Sequence, residues 1–189
     1  TWEHMALSRA RVVCGTPSLT TDIKAVICET LTQEREPASL LTDVAEMRLR
    51  IDKEHHSDFI WEVKYMRGGL VDIEFIVQYL QLSHAHLHPD ILSANTGQAI
   101  QNLHEKNLLD SHQADTLIAA LKLWQTVQGM LRLTIEGYFQ PEREHEVPAA
   151  LAQALAEAGG CADIDALKTH MKETANAAYQ VYGDLIGEP

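Results

Sequence analysis

The residues best suited to chemistry surround a glycine pair near the middle of the sequence. Two cations, two glycines and two acids follow one another in a short segment: Lys64, Arg67, Gly68, Gly69, Asp72 and Glu74. Backbone amides at a helix start attract anions, and glycine lets a ligand or another backbone come close. The segment therefore allows a phosphate contact, but it equally allows a tight turn whose glycines let the next helix pack on its neighbours.

Asp72 and Glu74 have the alternating spacing of carboxylates that hold two metal ions in phosphate-transferring enzymes. On a strand such residues share a face, but on a helix they lie about 200° apart. The apolar residues around them recur at helical spacing, so we expect the two carboxylates to diverge and to bind no metal. We expect them to stabilise the helix start or to pair with one of the nearby cations: Arg9, Arg11, Lys64 or Arg67.

Two other groups of polar residues could do chemistry. Arg9 and Arg11 lie near the end of the first predicted helix, where they could form salt bridges or contact a phosphate or a docked partner, although their spacing makes them diverge. Three alternating histidines precede Pro89: His84, His86 and His88. The sequence places no further metal ligand beside them, so a solvated helix end is favoured over a metal site. We predict no catalytic residue and no metal ligand in this chain.

Apolar residues recur at helical spacing through most of the chain, which predicts an all-α fold. The pattern indicates a bundle of about eight helices, in one body or in two packed sub-bundles. The helices are expected at residues 2–13, 19–33, 37–55, 70–84, 97–106, 112–137, 148–158 and 163–186. Residues 59–66 alternate like a strand, but no second strand is evident, so we expect one short extended segment there.

The polar loop from Gly137 to Pro148 is the candidate domain border. It would separate a helical domain at residues 1–137 from a C-terminal helical extension at residues 148–189 packed on it, although residues 1–189 could also form one domain. In the second helix we expect an inward stripe of Ile23, Val26, Ile27 and Leu31. In the third helix we expect a solvated charged face formed by Asp43, Glu46, Arg48, Arg50, Asp52, Lys53 and Glu54.

The composition excludes several functional classes. A net charge of −12 argues against nucleic acid or an anionic membrane as the main partner, because both require a basic surface. It leaves ATP open, since a local basic pocket is enough. Cys14, Cys28 and Cys161 are odd in number and widely spaced, so we expect reduced, buried or half-buried thiols in a cytosolic protein. The chain begins at Thr1, inside a predicted helix, and is expected to be an excised domain.

Several segments in the same order resemble one protein family. They are Trp2-Glu3-His4, Ala6-Leu7, Arg9-Ala10-Arg11-Val12-Val13, Met47-Arg48 and Gly68-Gly69-Leu70-Val71-Asp72-Ile73-Glu74-Phe75-Ile76. The chain resembles the bacterial bifunctional glutamine synthetase adenylyltransferase/adenylyl-removing enzymes, and within them the C-terminal helical portion of the adenylylating half. The Gly-Ser and paired-Asp catalytic motif of that family has no counterpart in this chain.

The resemblance implies a cytoplasmic bacterial enzyme that transfers AMP from ATP, with magnesium, to a tyrosine of glutamine synthetase, and removes it again. It implies that this chain braces a nucleotidyltransferase domain and frames its cleft, and that the chain alone is inactive and binds neither ATP nor magnesium. The implied partners are glutamine synthetase, the PII signalling protein and the enzyme's own nucleotidyltransferase domain. The residues expected to face the cleft or that domain are Arg9, Arg11, Lys64, Arg67, Gly68, Gly69, Asp72 and Glu74.

Three alternatives remain open at this point. The first is a regulatory module that binds PII protein or glutamine and has no direct role in the active site. The second is the related helical region of a PII uridylyltransferase, although the opening Trp2-Glu3-His4 argues against it. The third is a metal-dependent hydrolase that would use His84, His88 and Asp72.

Overall fold

A computed structural model of the chain describes residues 1–136, 139 and 147–187. These residues form an all-α structure without a strand, which confirms the predicted fold class. Pro89–Ile91 adds a short 3-10 turn. The helices are α1 (Trp2–Leu7), α2 (Pro17–Leu31), α3 (Pro37–His55), α4 (Leu70–His84), α5 (Thr96–Glu105), α6 (Ser111–Thr134), α7 (Ala149–Ala158) and α8 (Ile164–Ile186).

Polar side chains set the starts of several helices. Asn95 caps α5 by accepting the Gln98 backbone N–H at 3.0 Å. Asp110 caps α6: its carboxylate accepts the Gln113 N–H at 2.8 Å, and the Gln113 side chain accepts the Asp110 N–H at 3.1 Å. This reciprocal pair satisfies two backbone donors that the helix itself leaves unpaired.

Helix α4 lies at the centre of the bundle. Its residues are apolar on nearly every side, and most of them are buried, which is the pattern of a helix surrounded by others. It packs against α1, α3, α5, α6 and α8, and α6 packs against α8. The start of α4, which carries the glycine pair and the acids, therefore lies where several helices meet.

The first helix ends earlier than predicted. It stops at Leu7 rather than at residue 13. The Ser8 hydroxyl donates to the Met5 carbonyl at 2.7 Å, and the next amides bond three residues back, at 3.2 Å and 2.9 Å, rather than four. This change from four-residue to three-residue hydrogen bonds ends the α-helix. Arg9 and Arg11 consequently lie in the segment that follows α1 and not within a helix.

Residues 59–66 form successive turns instead of the expected extended segment. The Glu62 amide donates to the Phe59 carbonyl at 2.8 Å, and the Met66 amide donates to the Glu62 carbonyl at 3.2 Å. Without a second strand, backbone groups here find partners within the segment itself. The turns carry the chain directly into the glycine pair.

Two expectations about burial are wrong. In α2, Leu31 is buried and Ile27 is half-buried, but Ile23 and Val26 are exposed, because α2 packs mainly against the short α1. The three cysteines are free, but Cys14 and Cys28 are exposed, and only Cys161 is half-buried as expected. Both differences lie in the N-terminal part of the chain.

The proposed domain border lies largely outside the described residues, which exclude 137, 138 and 140–146. Helix α8 packs against α4 and α6 as well as α7. The division into residues 1–137 and 148–189 stays a prediction. Within the parts of the chain that the structure describes, no helix has both the length and the apolar character to cross a membrane.

The turn before α4 approaches helix α8 closely at Gly68. Its backbone φ is +72°, in the left-handed region that side-chain-bearing residues rarely adopt. A Cβ here would lie 1.9 Å from the Ala175 carbonyl oxygen. Trp124 of α6 donates its indole N–H to the Gly68 carbonyl at 3.0 Å. The missing side chain therefore lets the turn, α6 and α8 meet.

We expect Gly68→Ala to lower the free energy of unfolding by more than about 2 kcal/mol, because strain at positive φ adds to the displacement of α8. Gly129→Ala is the control: Gly129 lies inside α6, where a Cβ would meet no atom within 4 Å. It should raise stability by about 0.5–1 kcal/mol, since alanine favours helix. Urea unfolding measures both, and similar effects of the two substitutions would contradict the close approach.

Candidate functional site

The start of α4 contains an ion pair that is completely buried. Asp72 lies in the first turn of α4 and pairs with the Nε of Arg48 from α3; both side chains are 0 % exposed. The second carboxylate oxygen of Asp72 accepts the Gly68 backbone N–H at 2.5 Å. Buried charges persist in proteins when they are paired and hydrogen-bonded, and both conditions are met here.

Arg48 extends this pair into a network of two arginines and two aspartates. Its Nη2 donates to the Tyr65 carbonyl at 3.0 Å, and its Nη1 lies 3.4 Å from the Asp52 carboxylate. Asp52 also binds Arg67, at 2.9 Å between Nη2 and Oδ2. The formal charges of the four side chains cancel. The network fixes α3, α4 and the turn between them relative to one another.

The burial of Arg48 corrects the expectation of a solvated charged face. The residue follows Met47 and lies four positions after Val44, and both are buried. Residues four apart share a helix face, so the spacing itself contained the signal. The sequence reasoning missed Arg48 because a charged residue was assigned to solvent by type. Asp72 was expected to pair with a different cation; its partner is Arg48.

The amides at the start of α4 already have partners within the chain. Gly68 N–H bonds to Asp72. The next three amides bond to carbonyls of the preceding turns: Gly69 to Met66 at 3.0 Å, Leu70 to Val63 at 2.9 Å and Val71 to Lys64 at 3.1 Å. An anion would have to break these bonds to use the helix start. The geometry therefore favours the tight-turn interpretation of the glycine pair over a phosphate contact.

Glu74 faces away from Asp72, as the helical spacing predicted. Its carboxylate lies 2.6 Å from Nη1 of Arg9, which was one of the partners considered. The two residues line a surface groove of about 280 Å³ between α1, α3, α4 and the turns before α4. Trp2 and Lys64 also line this groove, and the Lys64 ammonium donates to the Tyr65 hydroxyl at 2.7 Å.

The eight candidate residues thus lie in three different places in the structure. Arg9, Lys64 and Glu74 meet at the groove. A second set lies in or beside the buried network: Arg67, Gly68, Gly69 and Asp72. Arg11 lines a different groove, together with Lys24 of α2.

Burial dominates the electrostatics of both acids. It raises the pKa of the Asp72 carboxyl, although Arg48, the Gly68 amide and Arg67 act in the opposite direction. It also raises the pKa of Glu74, against the effect of Arg9 and Lys64. Each acid is thus held by an arginine that offsets part of the cost of burial.

Two buried polar atoms beside the network have no hydrogen-bond partner in the described part of the chain: Arg67 Nη1 and the Tyr182 hydroxyl. Burial, followed by the charge of Asp72, raises the pKa of Tyr182 well above its ordinary range, so the hydroxyl stays protonated. The Arg67 guanidinium lies 5.6 Å from the centre of the Tyr179 ring. Helix α8 thus contributes two tyrosines, Tyr179 and Tyr182, to the surroundings of the network.

Asp72 and Glu74 do not fit a magnesium or other metal site. Asp72 and Glu74 lie on different faces, and each is bound to an arginine. Among residues 1–136, 139 and 147–187, no group of three or more His, Cys, Asp or Glu side chains could hold a metal ion. The hydrolase interpretation based on His84, His88 and Asp72 therefore has no geometric support.

A double-mutant cycle tests the buried pair. Arg48→Met and Asp72→Ala should each lower the free energy of unfolding by about 3–5 kcal/mol, because each leaves an unpaired buried charge. The double variant should lose at least about 1 kcal/mol less than the sum. Arg50→Met is the control: Arg50 is 73 % exposed and lies 3.6 Å from Glu46, so its loss should cost under about 1 kcal/mol. Strictly additive losses would rule out the coupling.

A pH titration tests the burial of Glu74. Because its pKa lies above the ordinary 4.5, the folded state holds the proton more tightly than the unfolded state. The stability contributed by this group is present below about pH 4.5 and is lost as the pH rises through the raised pKa. Between about pH 4 and pH 7, Glu74→Gln should therefore become progressively more stable relative to wild type in urea unfolding.

Arg9→Gln supplies the matched comparison for this titration. Arg9 opposes the rise in the Glu74 pKa, so the drift between Arg9→Gln and the Arg9→Gln/Glu74→Gln double variant should be larger than the drift between wild type and Glu74→Gln. A drift of the opposite sign would mean that the ion pair, and not burial, determines the Glu74 pKa.

Comparison with known proteins identifies the relatives of this sequence. The chain is 41 % identical over 187 residues to the bifunctional glutamine synthetase adenylyltransferase/adenylyl-removing enzyme of Rhodopseudomonas palustris (strain ATCC BAA-98 / CGA009), covering 99 % of this chain and 19 % of the relative. The enzymes of the same name from Bradyrhizobium diazoefficiens and Agrobacterium fabrum are 40 % and 38 % identical; each match covers 98 % of this chain, and 18 % and 19 % of the relative.

The chain therefore spans about a fifth of the length of the curated relatives that it matches. These matches confirm the resemblance inferred from the sequence. They cover nearly the whole of this chain, including residues before the start of the match to the family model. That model, described as GlnD PII-uridylyltransferase, matches residues 39–186. Because this match covers most of the sequence, the chain belongs to the GlnD PII-uridylyltransferase family.

Proposed function

We propose that this chain is a helical portion of an enzyme that adenylylates and de-adenylylates glutamine synthetase. Its role there is to brace the nucleotidyltransferase domain and to frame the cleft in which AMP is transferred. The observation that carries the proposal is the similarity to three such enzymes along nearly the whole of this chain. The proposal gives the chain no catalytic residue of its own.

The contacts around Asp72 support a bracing role. The carboxylate binds Arg48 and the Gly68 amide, and Trp124 binds the Gly68 carbonyl. All of these polar groups act inside the bundle, and none is free to contact a substrate. A network that holds α3, α4, α6 and one turn together makes a rigid support, which is what positioning of a catalytic domain requires.

The groove beside Trp2 is the candidate surface for that domain. Arg9, Lys64 and Glu74 supply its charges, and apolar side chains such as Phe75 supply its floor. The groove is not lined by Arg67, Gly68, Gly69 or Asp72. Their role in the proposal is to fix the turn that carries Lys64. Arg11 lies apart, so a role for it would involve a separate contact.

The proposal implies a set of partners and cofactors for the complete enzyme. Glutamine synthetase is its protein substrate, and ATP with magnesium acts at the nucleotidyltransferase domain. The PII signalling protein is a regulatory partner, and the enzyme works in the bacterial cytoplasm. Because the acids of this chain are bound to arginines, no step of the transfer is assigned to them.

The regulatory alternative is less well supported. The names of the three relatives describe enzymes that add and remove adenylyl groups. They therefore favour a portion of the enzyme over a separate module that only binds PII protein or glutamine.

AMP transfer from labelled ATP to glutamine synthetase tests the proposal. The complete natural polypeptide should transfer AMP in the presence of magnesium, whereas this 189-residue chain alone should transfer none. In the complete polypeptide, Lys64→Ala should reduce the transfer rate by about tenfold or more if the groove frames the cleft. Its melting temperature should fall by no more than about 4 °C, because the half-buried lysine gives up a hydrogen bond and a cation–π contact with one residue, Tyr65.

Lys53→Ala is the control, since Lys53 is an exposed cation of α3 away from the groove. It should leave the transfer rate unchanged. AMP transfer by the 189-residue chain alone would overturn the scaffold role. A Lys64→Ala enzyme with the rate of the control would remove the groove from the cleft.

A further inference from the structure

Tyr65 connects the buried network to the groove of the candidate site. Its backbone carbonyl accepts an N–H from Nη2 of Arg48 at 3.0 Å, and the residue lines the groove together with Lys64. The Tyr65 hydroxyl accepts a hydrogen bond from the Lys64 ammonium at 2.7 Å, and the same nitrogen lies 4.4 Å from the centre of the ring. Tyr65 is therefore bound at its backbone by the network and meets the groove lysine with its side chain.

The ring of Tyr65 is itself held in place. His55, the last residue of α3, stacks on it with the ring centres 4.4 Å apart and an angle of 16° between the planes. The backbone amide of Tyr65 donates to the Glu62 carbonyl at 3.2 Å. Because a tyrosine side chain rotates about only two bonds, these contacts leave its hydroxyl few alternative positions.

The two cations of the groove are held by different kinds of group. Arg9 binds the Glu74 carboxylate at 2.6 Å, so a negative charge balances it. Lys64 is bound by a neutral hydroxyl, and within the described ranges it forms no ion pair with a carboxylate. A hydroxyl oxygen can fix the position of an ammonium without cancelling its charge. The charge of Lys64 therefore stays available at the groove.

We propose that Tyr65 is a positioning residue, whose hydroxyl holds the Lys64 ammonium in the orientation that AMP transfer requires. The inference rests on the proposed function, which assigns Lys64 to the cleft, and it adds a residue that acts on the reaction only through that lysine. An ammonium has three N–H donors, and the hydroxyl uses one, so two stay free for acceptor oxygens at the cleft. Lysine has a long flexible side chain, and fixing it in advance reduces the entropy lost when those contacts form.

AMP transfer by a Tyr65→Phe variant of the complete polypeptide tests the inference. The substitution keeps the ring and the backbone carbonyl and removes only the hydroxyl that binds Lys64. The transfer rate should fall at least about threefold, because a small displacement of a positioned group is enough to slow a reaction. Tyr79→Phe is the matched control, since Tyr79 of α4 does not line the groove and its hydroxyl forms no hydrogen bond in the described part of the chain. It should keep the wild-type rate.

The double variant Lys64→Ala/Tyr65→Phe separates positioning from a structural effect of the hydroxyl. Without the lysine, loss of the hydroxyl should have no further effect, so the double variant should transfer AMP at the rate of Lys64→Ala. Further slowing of the double variant would mean that Tyr65 acts by itself, and would overturn the inference. A Tyr65→Phe enzyme as fast as Tyr79→Phe, with Lys64→Ala still slow, would also overturn it and leave the role of the groove intact.

Lysine acetylation, followed by site-resolved mass spectrometry, measures the contact itself on the same preparations. Acetylation requires a free amine, so Tyr65→Phe should raise the rate at Lys64 at least about twofold relative to the exposed Lys53. Tyr79→Phe should leave this ratio unchanged. An unchanged ratio in Tyr65→Phe would overturn the inference, whatever the transfer rates. If Lys64→Ala transfers AMP at the wild-type rate, the role of the groove in the proposed function fails, and a raised ratio would then show a contact that is structural only.

Discussion

The buried ion pair between Arg48 and Asp72 is the constraint on which the rest of the structure depends. Removing two charges from water costs several kcal/mol for each ion unless the geometry of the pair is good and the remaining polar atoms are bonded. Here the pair is completed by the Gly68 amide and the Tyr65 carbonyl. Any movement of α3, α4 or the turn between them would leave a charge unpaired, so the three move as a unit.

This arrangement gives the glycine motif an internal role. A basic glycine turn before a helix resembles a site for phosphate, because free amides and cations would face the ligand. In this chain the amides at the start of α4 bond to the protein itself. Gly68 is needed for its contact with Ala175 of α8. The segment most distinctive in the sequence therefore builds the support, and the groove beside it contains the accessible charges.

The sequence predicted most of the helices, because periodic apolar residues and polar caps are local signals. It also predicted that Asp72 and Glu74 diverge and that Glu74 could bind Arg9, since both follow from helical geometry. It failed for Arg48, whose burial depends on an acid 24 positions later in the chain. It also failed for α2, because whether an apolar stripe is covered depends on the neighbours that a helix finds. The spacing of Val44, Met47 and Arg48 did place Arg48 on the buried face of α3. The acid that pairs with it, and the neighbours that cover α2, are distant in sequence and leave no local pattern.

The exchange rate of the Gly68 backbone amide, measured by hydrogen exchange, tests the central claim most directly. The claim is that this amide is held by the Asp72 carboxylate inside the bundle. The account predicts slow exchange, with a protection free energy close to that of global unfolding, and no change when ATP and magnesium are added to the chain. Exchange at the rate of an exposed loop amide, or protection that appears only with nucleotide, would contradict it.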